Sequence, residues 1–181
     1  LCSAVTVTVF IDGDAVEGQE TRLVCTIQKS DSTNTNDPLI RWVEVVKGSP
    51  VTIVEYQAGS GPVYADYADR FSVESDGSQL TLVIDNTMRT DDGTCTYQCD
   101  VSVLNDPPSP ASGAVTISVA YKPEFGLATE DTVSQNEQYI IEFEVAANPS
   151  NVTYQWTTDP SGIEDTDTNP ATFTVNNECY Q

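Results

Sequence analysis

The stretch Thr90–Asp100, T-D-D-G-T-C-T-Y-Q-C-D, constrains this chain more than any other. Asp91, Asp92 and Gly93 spell a tight polar turn, with the glycine supplying whatever backbone angle the corner requires. After it, Cys95, Tyr97 and Cys99 alternate with Thr94, Thr96, Gln98 and Asp100, the period of a strand with one buried face. At a rise of about 3.3 Å per residue the two sulfurs stand roughly 13 Å apart along that strand, too far to bond each other.

The same alternation recurs along the chain. Val5, Val7 and Val9 mark a first strand that ends at Asp12-Gly13-Asp14, and Leu23, Cys25 and Ile27 face inward from a second. Polar residues from Lys29 to Pro38 form a loop, followed by the Trp42-bearing strand Leu39 to Val46 and its neighbour Val51 to Tyr56. A short strand near Val63-Tyr64, another at Arg70 to Val73, and inward-facing Leu80, Leu82 and Ile84 come before the opening stretch. Val115, Ile117 and Val119 then face inward from the strand Ala114 to Ala120. Tyr121-Lys122-Pro123 marks a boundary, because proline ends one strand run before the next begins. Beyond it, Tyr139 to Ala147, Val152 to Thr157 and Ala171 to Val175 read as strands, too few to complete a second sheet pair, so the chain reads as a piece of a longer ectodomain.

Charge removes several functions. Seven Lys+Arg stand against 28 Asp+Glu with no histidine, a formal net charge of -21. That field repels phosphate backbones and anionic lipid headgroups, so neither nucleic acid nor a membrane surface is an expected partner. Without histidine there is no imidazole base or Ser-His-Asp triad, and the plentiful carboxylates mark no sugar cleft, so no catalytic residue and no enzymatic role are expected. Structural zinc lacks both paired C-x-x-C motifs and a mixed site. Asp165-x-Asp167-x-Asn169 begins like a calcium loop but fails at Pro170 and Asn176, so no metal and no cofactor are expected. No apolar run of about 20 residues spans a bilayer. Five cysteines, four within the first 100 residues, suit an oxidising extracellular compartment, on a cell surface or secreted. Leu1-Cys2-Ser3-Ala4 suits the end of a signal peptide, in which case Cys2 is cleaved away.

Taken in order, Cys25, Trp42, Arg70-Phe71, Leu80-Thr81-Leu82, Asp91-Asp92-Gly93 and Tyr97-Gln98-Cys99 resemble the variable-type immunoglobulin superfamily over the first 120 residues. The resemblance implies an all-β fold, an immunoglobulin-like β-sandwich. Its first domain, 1–120, is variable-type, and 121–181 is an incomplete second domain of intermediate type. Trp42 and Tyr97 are then the core pins of the first domain and Trp156 that of the second, with the Tyr97 phenol bonding backbone upstream. Arg70 pairs with Asp91 across the bottom of the sandwich. Asp91 to Cys99 is two residues longer than the family's spacing, so strict counting puts Tyr97 in the cysteine slot. A two-residue extension of the corner makes Cys25 to Cys99 the expected bridge, with Cys25 to Cys95 as the alternative and Cys2 to Cys95 as a possible second bridge. In the second domain Phe143 stands where the family's first cysteine is expected, leaving Cys179 without its usual partner. Such a tandem with missing cysteines is similar to cnidarian allorecognition receptors and, in architecture, to nectin-like adhesion proteins.

If Trp42 points into the core, Arg41, Val43 and Val45 point out of the same strand, and Val54 and Tyr56 extend that outer face. In the resembling families this front sheet is where domains meet head to head, which implies a protein partner, another copy of the chain on an opposing cell. The rival surface is the loop end around Asn34 and Asp106-Pro107-Pro108, which would take a non-self ligand. Asn151-Val152-Thr153 is a glycosylation sequon, whereas Asn148-Pro149-Ser150 is blocked by its proline.

Overall fold

The computed structural model describes residues 4–126, 138–141, 145–155 and 171–174. The chain divides into two compact units, Leu1–Ala120 and Tyr121–Gln181. The first contains β1 (Thr6–Asp12), β2 (Thr21–Gln28), β3 (Leu39–Val46), β4 (Ser49–Tyr56), β5 (Phe71–Ser75), β6 (Gln79–Ile84), β7 (Cys95–Ser102) and β8 (Ala111–Thr116). Two antiparallel sheets result, a back sheet ordered β1-β2-β6-β5 and a front sheet ordered β4-β3-β7-β8. The fold is therefore all-β, an immunoglobulin-like sandwich.

Period-two patterning decides which side chains fill the space between the sheets. From the back sheet come Leu23, Cys25, Leu80, Leu82 and Ile84, and from the front sheet Ile40, Trp42, Tyr97, Cys99 and Val101, all buried. Burial of each large aliphatic or aromatic group contributes about 2 kcal/mol, so this inner layer supplies most of the driving force. Val7, Val9 and Ile11 of β1 pack on the same cluster. Opposite them β8 carries Gly113, where an added Cβ would lie 2.9 Å from Val9 Cγ2 and 3.1 Å from the Val7 carbonyl oxygen. The missing side chain is what lets the edge strands of the two sheets close on each other.

The β3–β4 hairpin holds the main departure from simple alternation. Its turn, Lys47-Gly48, has φ of 51° and 81°, the positive angles of a type I′ connection. Counting back from the turn, Val46 pairs with Ser49 and Val43 with Thr52, but Trp42 then pairs with Val54. Ile53 is an extra residue, a β-bulge that shifts the register by one and turns every following side chain of β4 to the other face. Beyond the hairpin, Val63 bridges to Val54 and the Tyr64 N–H donates to the Ile53 carbonyl at 2.9 Å, covering part of the β4 edge.

In the second unit, β9 (Tyr121–Phe125) pairs antiparallel with β11 (Val145–Asn148), and β10 (Gln138–Ile141) with β12 (Ala171–Thr174). The single strand expected over Tyr139 to Ala147 is thus two strands with different partners. Residues 152–155 are irregular rather than extended in a sheet. Cys2, Phe143, Trp156, Asp165, Asp167, Asn169 and Cys179 lie outside the described residues.

Candidate recognition surface

Three regions bear the residues that the sequence singles out. The first is the corner. Cys25 and Cys99 form a disulfide between the sheets, Cα–Cα 6.3 Å, closing 74 residues of chain. Cys95 faces inward on the same strand and carries a free, buried thiol, so the alternative bridge Cys25 to Cys95 is absent. Burial pushes the thiol up from its ordinary range, opposed by a Thr94 hydroxyl contact of 3.6 Å. A single turn of 3-10 helix, Arg89–Asp91, leads into the corner, and a turn over residues 92–94 carries the chain from it into β7. Asp91 is buried, pairs with the Arg70 guanidinium and accepts the Met88 N–H at 2.8 Å. Asp92 accepts the Val119 N–H at 2.8 Å and ties the corner to the last segment of the unit.

Trp42 and Tyr97 are fully buried. The Tyr97 ring lies 6.2 Å from that of Phe71, which in turn meets Tyr67 edge-on at 5.8 Å and the Arg70 guanidinium at 5.1 Å. The expected bond from the Tyr97 phenol to backbone is not formed, for its hydroxyl has no hydrogen-bond partner. Burial raises the Tyr97 phenol well above its ordinary range, so it stays protonated.

The second region is the outer face of the front sheet. Cross-strand partners share a face, so its rows run Glu55, Arg41, Asp100, Ser112; Thr52, Val43, Gln98, Ala114; and Pro50, Val45, Thr96, Thr116. Arg41 and Glu55 form an exposed ion pair, Nε to Oε2 2.7 Å. Asp100 accepts from Gln98 and from the Ser112 hydroxyl, both at 2.6 Å. Two of the five residues assigned to this face therefore do not belong to it. Val54 and Tyr56 pair with Trp42 and Ile40 and point into the sandwich, because the Ile53 bulge reverses β4. Val43 does face outward but is only 5% exposed between half-buried Gln98 and Thr52. What remains accessible is Arg41 and part of Val45 within a polar surface.

The third region is the loop end. Lys29 Nζ donates to the carbonyls of Asn34 and Asn36, at 2.9 and 2.7 Å, and folds the 29–38 loop on itself. The side-chain amides of Asn34 and Asn36 reach the Leu104 carbonyl at 3.0 and 3.3 Å. Buried Asp106 accepts the Ser30 N–H at 3.0 Å and its hydroxyl, so two loops separated by more than 70 residues are cross-tied. The Thr33 hydroxyl and N–H hold the Asp31 carboxylate below its ordinary range. Leu104 is left 67% exposed beside a cleft of about 450 Å³ whose lining includes Asp37, Leu39, Val103 and Pro107. The polar 29–38 loop was readable as a loop, but no local signal pointed to Leu104 or to the lysine that organises its neighbours.

A disulfide-pinned sandwich of these two four-stranded sheets, with its charged corner and paired loops, defines an immunoglobulin variable-type domain. The sequence model of the immunoglobulin V-set domain matches residues 13–120, and the chain belongs to that family. No curated protein sequence matches it. The structure of murine CRIg is similar, with a TM-score of 0.52 at 15% identity, covering 64% of this chain and 97% of that one, a likeness of fold. V-set domains are typical of extracellular and cell-surface proteins, where they typically serve as recognition and binding modules. Among the described residues no helix is long and apolar enough to cross a membrane, and no cluster of three acidic or cysteine ligands could hold a metal.

Proposed function

We propose that the V-set unit is the recognition module of an extracellular or cell-surface protein and binds a protein partner through its loop end and the adjoining Arg41–Glu55 row. The observation that carries this reading is the cross-tie of Asp106 to Ser30 and of Asn34 and Asn36 to Leu104. A contact surface held rigid before binding loses less conformational entropy on association, and Leu104 offers it an exposed apolar group beside a cleft. With Arg22, Arg41, Arg70 and Arg89 all in ion pairs and Lys29 committed to carbonyls, the exposed surface of this unit is anionic, which favours a cationic partner face. The test is binding of the tetramerised chain to cells displaying a panel of ectodomains. Leu104→Asp should abolish the binding, and Thr116→Lys, on the far row of the front sheet, should leave it intact. Binding unaffected by Leu104→Asp would remove the loop end.

A second reading is homophilic contact across the front sheet, the arrangement of an allorecognition or adhesion tandem in which 121–181 is an intermediate-type unit. The Arg41–Glu55 pair supports it, since two copies related by a two-fold axis can exchange such pairs. Like charge opposes it, and the loss of Val54 and Tyr56 from the face removes most of its apolar content. Sedimentation of the whole chain at low and high salt decides. A dimer that is weakened by Arg41→Glu supports the face, and a monomer at high concentration in both salts eliminates it.

A further inference from the structure

The second unit carries a chemical handle that the first lacks. Asn151-Val152-Thr153 is the one N-x-Ser/Thr sequence without an intervening proline in all 181 residues. It follows the bend at Pro149-Ser150, where the Val152 N–H donates to the Ser150 carbonyl at 3.1 Å, and it continues in irregular backbone. Asn151 and Thr153 are both exposed, with half-buried Val152 between them. The Asn151 side chain bonds no other described residue, in contrast to Asn34 and Asn36, whose amide nitrogens are consumed by the Leu104 carbonyl. An acceptor asparagine must enter a transferase site from an accessible segment outside regular structure, and residues 151–155 meet that demand where a strand residue would not.

We infer that Asn151 is an N-linked glycosylation site. The donor is an oligosaccharide carried on a lipid diphosphate. The Asn151 Nδ2 loses one proton and forms a bond to the anomeric carbon of the first sugar. The bond from that carbon to the diphosphate oxygen breaks, and the lipid diphosphate leaves with the electron pair. No electron is gained or lost overall. The acceptor hydroxyl of Thr153 two residues on is the recognition element, which serine can replace and alanine cannot. The inference rests on the extracellular reading of the chain, which the Cys25–Cys99 disulfide independently favours. Its consequence for recognition is a division of labour along the sequence. Residues 1–120 contain no such acceptor, so the V-set unit presents its loops and front sheet without N-linked sugar, and the N-linked glycan belongs to the second unit.

The experiment is expression of the full chain behind a secretory leader in animal cells, with intact mass and peptide mapping before and after peptide N-glycosidase. The wild type should carry one glycan, with Asn151 converted to Asp on enzymatic release. Thr153→Ser should keep it, and Thr153→Ala and Asn151→Gln should each lose all of it, read on both the intracellular and secreted pools. A wild-type chain that reaches the medium without sugar, or a glycan that persists in Thr153→Ala, would overturn the site. Either result leaves recognition standing, because that reading is tested by Leu104→Asp on the other unit.

Discussion

At the scale of single residues, the inter-sheet bridge and its neighbours behave very differently. The Cys25–Cys99 bond closes a 74-residue span, and the chain-entropy relation gives it about 4 kcal/mol of stabilisation. Cys99→Ala should therefore lower the unfolding free energy by several kcal/mol in denaturant titration, while Cys95→Ala, which deletes only one small buried sulfur, should cost about 1 kcal/mol. The buried Cys95 thiol, with its pKa raised chiefly by desolvation, should alkylate slowly at neutral pH and rapidly once denaturant opens the sandwich, as peptide mapping will show. Tyr97 separates the structure from the expectation drawn from family resemblance most sharply. If its phenol closed the corner, Tyr97→Phe would cost about 1 kcal/mol or more. Because the buried hydroxyl is unpartnered, Tyr97→Phe should instead be neutral or raise stability by about 1 kcal/mol. A loss above that size would show that the phenol is bonded. Removing Arg70 is the opposite case. It leaves the Asp91 carboxylate buried with the Met88 N–H as its remaining tie, and Arg70→Ala should cost about 3 kcal/mol.

At the scale of elements, strand identity was legible in the sequence but strand phase was not. Alternation alone placed β2, β3, β6 and β7 and their inward residues, because each carries apolar side chains at every second position, although β6 is buried on both faces, Thr81 and Val83 included. It misplaced Val54 and Tyr56, because the Ile53 bulge leaves no mark in composition: Val51, Ile53 and Val54 are all β-branched and each would suit either face. The second unit was harder still, since a run such as Tyr139 to Ala147 is apolar enough for one strand, and only pairing divides it. Deletion of Ile53 puts the bulge to the test. Without it, the ladder runs unbroken from Val43–Thr52 to Trp42–Val54, so Val54 and Tyr56 keep their inward places and only the buried Ile53 side chain is lost. A loss of about 3 kcal/mol is expected, with the tryptophan emission unchanged. An emission shifted to longer wavelength would mean that the bulge itself holds Val54 and Tyr56 against Trp42 and Ile40. Gly113→Val is a second probe, since even the Cβ is too close to Val9 and the Val7 backbone, and a cost of about 2 kcal/mol is expected.

At the scale of the whole molecule, the charge of -21 governs how stability responds to solvent. Two electrostatic contributions compete. The exposed ion pairs of Arg22 and Arg41 are each worth a fraction of a kcal/mol and weaken as salt is added. Repulsion among the unpaired carboxylates is spread over the surface and disfavours the compact state, and it too is screened. With 28 acidic residues against seven basic ones, repulsion is the larger effect, so raising ionic strength from about 0.01 M to about 0.1 M, which shortens the screening length from roughly 30 Å to roughly 10 Å, should stabilise the fold. A rise in thermal midpoint of a few degrees, on the order of 1 kcal/mol, is the expected result by circular dichroism. Acid acts through particular groups. Asp76, held by the N–H groups of Ser78 and Gln79, Asp31, held by Thr33, and Glu74, held by Arg22, all have carboxyl pKa values below their ordinary ones. A carboxylate with a lowered pKa in the folded state stabilises the fold fully above its unfolded pKa, and the contribution is lost as pH falls through the folded value. These three groups therefore cost the fold nothing between pH 7 and about 5, where protonation also has yet to relieve the repulsion, and acid unfolding should set in only below the ordinary carboxylate range. A midpoint that fell with added salt would show that the ion pairs outweigh the field of the unpaired acids, and unfolding already at pH 6 would show that a group other than these three carboxylates sets the acid limit.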